Sequence, residues 1–121
     1  MNEDLAERIA DTMFALATPS RVRILGCLRE RPHTVGELIA VTGMAQPAVS
    51  HQLRLLRDHR LVVAERRGRE RVYALYDEHV ASLLDEAERH ATQLAPERRR
   101  RSHAYPGRRA ENGAPKSAAD G

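Results

Sequence analysis

Prolines and glycines divide residues 5–94 into short segments, and this punctuation constrains the fold more than any other feature. Proline lacks a backbone N–H and disfavours helix in the residue before it, so Thr18-Pro19 and Arg31-Pro32 each end one segment and open another. Gly43 suits a helix stop and Gly68 a tight turn, because glycine adopts positive φ without strain. We therefore expect several short elements rather than a few long ones.

The first two segments are predicted to be helices. The first has an apolar stripe with steps of four, four and three residues, formed by Leu5, Ile9, Met13 and Leu16. The second begins at Pro19, which suits a first helical position, and runs to about Glu30. Three apolar residues continue it: Val22, Leu25 and Leu28.

Two short helices with a turn between them are predicted next. Thr34 and Glu37 form a capping box, in which each side chain satisfies a free backbone N–H. The helix that they open is expected to bury Val35, Leu38 and Ile39. Gly43 ends it, and Pro47 lies near the start of a fourth helix. The inner face of that helix is expected to hold Val49, Leu53 and Leu56, which completes a helix-turn-helix pattern.

A hairpin and a last helix complete the predicted fold. Leu61–Arg67 and Arg71–Tyr76 are rich in Val, Leu and Tyr and flank Gly68, as expected of two antiparallel strands forming a wing. The helix from about Asp77 to Leu94 has an apolar stripe of Val80, Leu83, Leu84, Ala87, Ala91 and Leu94. The expected fold class is mainly α with a small β-hairpin, a winged helix-turn-helix.

Positive charge is concentrated in two regions, although the net charge is only +3. Residues 46–71 hold seven Arg against three acids, and residues 95–121 hold seven Lys and Arg against three acids. Such basic regions indicate a polyanionic partner. For 95–121 a solvated surface is an equal alternative, and its Pro and Gly content predicts a disordered tail beyond a domain of residues 1–94.

The fourth helix and the hairpin tip hold the candidate DNA contacts. The second helix of a helix-turn-helix meets base edges in the major groove, where Gln suits adenine and Arg suits guanine. Ser and His can equally bond phosphates, and wing arginines suit phosphates or the minor groove. The predicted DNA-binding residues are Gln46, Ser50, His51, Arg54, Arg57, Arg66, Arg67 and Arg69. The alternative is a solvated helix face beside an exposed loop.

Three segments together resemble the ArsR/SmtB family of bacterial metal-sensing regulators: Ala17–Arg21, Ala48–Leu53 and Gly68–Tyr73. The resemblance covers roughly residues 5–94. It implies a homodimer built from the first and last helices, which binds double-stranded operator DNA. The apolar stripes of those helices agree with a dimer, because an uncovered stripe needs a partner. The run Leu75–Ala87 looks most like the actinobacterial nickel/cobalt-sensing branch.

Asp77, His79 and His90 are the candidate metal ligands. Within one helix the two histidines would lie about 16 Å apart, too far to share an ion, but two antiparallel copies bring Asp77 and His79 opposite His90. In the family the pattern is Asp-x-His, ten residues, then His-x-x-Glu or His-x-x-His. This chain departs at Gln93, which His103 is a candidate to replace. The alternative is that the histidines are surface residues and Asp77 caps the helix.

Nitrogen and oxygen ligands suit nickel, zinc or cobalt, and the resemblance favours nickel. We expect His33 to be a surface residue rather than a ligand, and Cys27 to be a small core residue rather than a sensor thiol. The acidic start and the lack of a long apolar run predict a cytoplasmic protein with no membrane partner.

Other functions remain as alternatives. A DNA-binding regulator controlled by another ligand or by a partner protein is the first, and a protein-interaction module is the second. An enzyme is least expected, because Ser50 and His51 are neighbours that do not face each other on a helix.

Overall fold

The computed structural model describes residues 1–94, which form five helices and three strands. In chain order they are α1 (Glu3–Ala15), α2 (Pro19–Glu30), β1 (His33–Thr34), α3 (Val35–Thr42), α4 (Gln46–Asp58), β2 (Val62–Arg67), β3 (Glu70–Leu75) and α5 (Glu78–Thr92). The predicted class, mainly α with a small sheet, is confirmed. The described residues divide into two units, Met1–Leu84 and a second that begins at Asp85. The predicted tail and His103 lie outside the described residues.

The residues predicted to lie at helix boundaries are found at those boundaries in the structure. Thr18 caps α2, which has Pro19 in its first turn. The capping box is present: the Thr34 hydroxyl accepts the Glu37 N–H at 3.1 Å, and the Glu37 carboxylate accepts the Thr34 N–H at 3.0 Å. Gly43 ends α3 with a φ of 73°. Local side-chain chemistry therefore fixes the limits of the central helices.

The sheet has the strand order β1-β3-β2, and both pairs are antiparallel. Two residues, Gly68 and Arg69, connect β2 to β3, and Gly68 has a φ of 62°. Positive φ at the first loop position alone is the pattern of a type II′ turn, whose twist matches that of the strands. The predicted hairpin is confirmed. β1 was not predicted, because two residues are too few to show an alternating pattern.

The core lies among α2, α3, α4 and the sheet. Its buried apolar side chains are Ala15, Ile24, Leu25, Leu28, Leu38, Val49, Leu53, Leu56, Leu61, Val62, Tyr73, Val80 and Leu84. On α2, Val22 is exposed and Ile24 is buried instead, because the buried side follows residues 21, 24, 25 and 28. On α3, Leu38 is fully buried, whereas Val35 and Ile39 are half-buried at the edge of the core.

His33 is buried, so the prediction of a surface position is wrong. Its β1 position pairs with Tyr73 of β3, and its Nδ1 lies 2.7 Å from the carbonyl oxygen of Arg31. The burial results from a strand pairing that the sequence pattern did not reveal. Cys27 is half-buried against the core, as predicted. Among residues 1–94, no helix has the length and apolar character needed to cross a membrane.

The first helix is almost entirely exposed. Ala15 is its one buried residue, and Leu5, Ile9 and Met13 are 39%, 36% and 48% exposed. Leu16, just after the helix, is half-buried. The predicted stripe is therefore present, but residues 1–94 of a single chain do not cover it.

Candidate functional site

Buried hydrogen bonds fix the turn that leads into α4. Thr42 is buried, and its hydroxyl donates to the carbonyl of Leu38 at 2.6 Å and accepts the N–H of Met44 at 3.2 Å. From α2, the Arg23 guanidinium donates to the Thr42 carbonyl at 3.1 Å. These bonds tie the end of α3 to α2 and define how α4 leaves the turn.

α4 turns one side to the core and the other to solvent. Its buried side is the predicted one, formed by Val49, Leu53 and Leu56. Of the predicted DNA contacts on this helix, four are exposed, namely Gln46, His51, Arg54 and Arg57, and Ser50 is half-buried. The exposed side thus combines hydrogen-bonding and cationic groups, the chemistry that base edges and phosphates require.

The start of α4 has no side-chain cap. Ala45 occupies the cap position and offers no acceptor, whereas Asn2, Thr18 and Thr34 cap α1, α2 and α3. First-turn N–H groups that lack an intrahelical partner attract anions, helped by the positive end of the helix dipole. This end of α4 is therefore suited to meet a phosphate.

The hairpin brings two arginines face to face. The register pairs Arg66 directly with Arg71, and both are exposed. Like charges in such a pair destabilise a hairpin, and an anion bound between them would relieve the repulsion. Arg57 and Tyr76 join the pair in lining an open groove of about 620 Å³. Within residues 1–94, no carboxylate lies within 4 Å of Arg57, Arg66 or Arg71.

The predicted wing residues are Arg66, Arg67 and Arg69, and Arg71 was not among them. Arg67 lies on the opposite face of the hairpin from Arg66, with Glu65 at 3.8 Å, and Arg69 is exposed in the loop. The sequence contains the information needed to identify Arg71, because a two-residue loop at Gly68 pairs Arg71 with Arg66. The groove is therefore a cationic surface that continues from the end of α4 onto the wing.

The candidate metal ligands lie on or beside α5 and are all exposed. Asp77 caps the helix, as the alternative prediction held: its Oδ1 accepts the N–H groups of His79 at 3.0 Å and Val80 at 3.3 Å. Its Oδ2 has no hydrogen-bond partner within residues 1–94. His90 and Gln93 are exposed near the end of the helix.

Within residues 1–94, one chain does not assemble these ligands. Among the described residues, no three His, Cys, Asp or Glu side chains form a group able to hold a metal ion. A free carboxylate oxygen and exposed imidazoles are nevertheless the donors that nickel, cobalt and zinc accept. The residues present therefore fit such a metal only if further ligands join them.

Comparison with known proteins identifies the family. The model of the bacterial regulatory protein arsR family matches residues 18–63. The HTH-type transcriptional regulator NmtR of Mycobacterium tuberculosis (strain ATCC 25618 / H37Rv) is 53% identical over 94 residues, which is 78% of each chain. The transcriptional repressor SmtB homolog of Synechocystis sp. (strain ATCC 27184 / PCC 6803 / Kazusa) is 42% identical over 90 residues, 74% of this chain and 68% of that one.

Solved structures agree. The solution structure of apo-NmtR aligns with a TM-score of 0.68 and 52% identity, over 79% of this chain and 81% of that one. The homodimeric winged helix-turn-helix DNA-binding domain of Mb0332 from Mycobacterium bovis aligns with a TM-score of 0.71 and 28% identity, over 77% and 89%. The protein is thus a winged-helix DNA-binding transcription regulator and not an enzyme. More narrowly, the chain belongs to the arsR family of bacterial regulatory proteins.

Proposed function

We propose that this regulator acts as a homodimer on operator DNA, and that nickel bound between the α5 helices tunes its affinity for that DNA. Zinc and cobalt are the alternative metals, because the same donors suit them. The observation that carries the proposal is the set of exposed nitrogen and oxygen donors on and beside α5, which form no complete metal site within residues 1–94 of one chain.

The DNA contacts are proposed from exposure and charge. The start of α4 enters the major groove, where Gln46, Ser50, His51 and Arg54 meet base edges or adjacent phosphates. Arg57, Arg66 and Arg71 hold a phosphate in the cationic groove, which relieves the repulsion between the two paired arginines. Arg67 and Arg69 follow the backbone or the minor groove at the wing tip.

The dimer is proposed from the uncovered stripe on α1. Leu5, Ile9 and Met13 are exposed at helical spacing, and an apolar stripe of this kind is stable when a second copy covers it. The homodimeric Mb0332 domain shows that a chain of this fold can pair with itself. A two-fold pair presents two recognition helices to two half-sites.

The metal site is proposed across that pair. Asp77 and His79 of one protomer and the partner's His90 hold the ion, with the partner's Gln93 or His103 as a fourth ligand. Asp77 can cap α5 through Oδ1 and bind metal through Oδ2. When bound, the metal supplies a rigid link between the two α5 helices.

Regulation follows from linkage between the two sites. If the protomer orientation that the metal favours differs from the one that DNA favours, metal weakens DNA binding and DNA weakens metal binding equally. The relative named as a transcriptional repressor supports repression by the DNA-bound form. The opposite sign is compatible with the same residues, so the effect of metal on operator affinity has to be measured.

Calorimetric titration of the dimer with nickel and with zinc tests the metal site. We expect two ions per dimer, and a loss of nickel affinity on the order of 100-fold in His79→Gln and His90→Gln, because each removes a ligand. His59→Gln is the control, since His59 lies at the end of α4 and its ring bonds to the Leu55 carbonyl. Unchanged nickel affinity in both α5 variants would exclude the proposed site.

A DNA-binding regulator without metal sensing is the second candidate, and Gln93 favours it. A neutral amide is a poorer ligand than the Glu or His of the family pattern. Under this alternative another ligand or a partner protein controls the protein. Saturating nickel would then leave its affinity for operator DNA unchanged, as measured by fluorescence anisotropy.

A further inference from the structure

Arg21 is a buried cation on α2 that lacks a carboxylate partner. Its side chain is 7% exposed, and no carboxylate lies within 4 Å of it among residues 1–94. The guanidinium donates from Nε to the carbonyl of Ala15 and from one terminal nitrogen to the carbonyl of Phe14 at 3.2 Å. Those carbonyls belong to the last turn of α1, where the helix dipole places partial negative charge. The carbonyl groups at the end of α1 therefore stabilise the positive charge of Arg21.

The third partner of Arg21 lies on the recognition helix. Its other terminal nitrogen donates to Oε1 of Gln52 at 3.1 Å, and Gln52 is half-buried on the flank of α4 beside His51. A guanidinium has only donors, so it fixes which end of the Gln52 amide faces it. One side chain thus joins the end of α1, the start of α2 and the middle of α4.

This link matters because α1 has little other attachment. Ala15 is the one fully buried residue of α1, and the helix before Thr12 is exposed throughout. Burying an unpaired cation is unfavourable, and an apolar side chain of similar volume is often as stabilising. The hydrogen bonds of Arg21 are directional, and they therefore constrain the relative orientation of the helices that they join, which an apolar contact would not do.

We propose that Arg21 and Gln52 are positioning residues that set the angle between α1 and α4. The inference rests on the proposed function, because it takes α1 as part of the dimer interface. In that dimer the angle determines the separation of the two recognition helices, and hence the half-site spacing that the protein accepts. The pair is distinct from the proposed DNA contacts, since Arg21 is buried and acts through Gln52 on the orientation of α4.

The test compares affinity and spacing preference in the full chain. Wild-type protein first selects a duplex from a random pool, and the selected half-sites are then moved one base pair closer together or further apart. Gln52→Met keeps length and helix propensity but removes the acceptor, and Val22→Met, an exposed apolar substitution on α2, is the control. We expect Gln52→Met to bind the selected duplex about tenfold more weakly, as for a lost hydrogen bond to a charged group, while binding of a scrambled duplex is unchanged.

Spacing preference separates positioning from mere stabilisation. Wild-type protein and the Val22→Met control should lose affinity when the half-sites are moved, whereas Gln52→Met should lose much less. Arg21→Lys, which retains the charge but not the fork of donors, should show the same flattened profile. An unchanged profile in both variants, or an equal loss for both duplexes together with a lower melting temperature, would overturn the inference. A wild-type chain that enriches no duplex would instead overturn the proposed function itself.

Discussion

The central region (residues 34–76) and the two end helices differ in how far the described residues of a single chain complete the surface that each is proposed to use. In the central region, caps, a fixed turn and a two-residue hairpin loop place the exposed groups of α4 and the wing without outside help. In contrast, α1 exposes an apolar stripe, and the α5 donors form no complete metal site within the described part of one chain. In the proposed function, each protomer therefore carries its own DNA-recognition surface, whereas regulation by metal requires two protomers.

Ile9→Glu should have the largest effect, because it disrupts the proposed dimer interface while leaving the DNA-binding surface of each protomer intact. Two copies of the new carboxylate would face a shared apolar surface, and we expect the dimer dissociation constant to rise on the order of 100-fold. Operator affinity should fall with it, since a lone protomer meets one half-site. Sedimentation equilibrium measures the first effect and fluorescence anisotropy the second.

Glu7→Gln is the control for charge on α1, because Glu7 is exposed on the opposite side of the helix. It should leave both constants within about twofold, as surface substitutions usually do. A monodisperse dimer of Ile9→Glu at the wild-type concentration would show that α1 does not form the interface.

Gln93→Glu tests the end helices through their proposed metal site. It replaces the neutral amide with the carboxylate of the family pattern, and we expect nickel affinity to rise about tenfold because an anionic ligand is added. Competition with a chelator of known affinity measures the change. Gln93→Asn retains an amide and should not increase affinity, and an equal gain in both variants would contradict a ligand role for residue 93.

Arg71→Gln tests the central region alone. Loss of one phosphate contact should lower the slope of log affinity against log salt by about 0.9, with little effect on sequence preference. Arg8→Gln is the control: it lies on α1, outside the proposed DNA contacts, and pairs with Asp4 at 3.1 Å. A slope change for Arg8 equal to that for Arg71 would remove the special role of the groove.

The same contrast explains what the sequence could predict. The Thr34–Glu37 capping box and the Gly68 turn are set by residues a few positions apart, and both are present as predicted. The burial of His33 depends on the pairing of β1 with β3, which periodicity in a two-residue strand does not reveal, whereas the pairing of Arg66 with Arg71 follows from the loop length at Gly68. The candidate residues could be named from their chemistry, but their neighbours are determined by long-range packing.

Substitution of Glu37 is expected to have the smallest effect of all, a change in stability that is confined to the central region. The Thr34 N–H that donates to its carboxylate lowers the pKa of Glu37, and the positive charge of Arg31, 3.4 Å away, adds to this. A carboxyl with a lowered pKa in the folded state stabilises the fold above its ordinary pKa of about 4.3, and this contribution is lost as the pH falls through the lowered value. Glu37→Gln should therefore slightly lower the free energy of unfolding at neutral pH, where the charge is lost although an amide can still cap the helix.

The difference between Glu37→Gln and wild type should shrink as the pH falls through the lowered pKa of Glu37, because the protonated carboxyl is neutral like the amide. Urea denaturation followed by circular dichroism, at one fixed protein concentration, measures the difference at each pH. Operator affinity at neutral pH should not change, because Glu37 acts on the start of α3 and not on the DNA-facing side of α4. A stability difference that stays constant from neutral to acidic pH would assign the effect to the shape of the amide rather than to the charge.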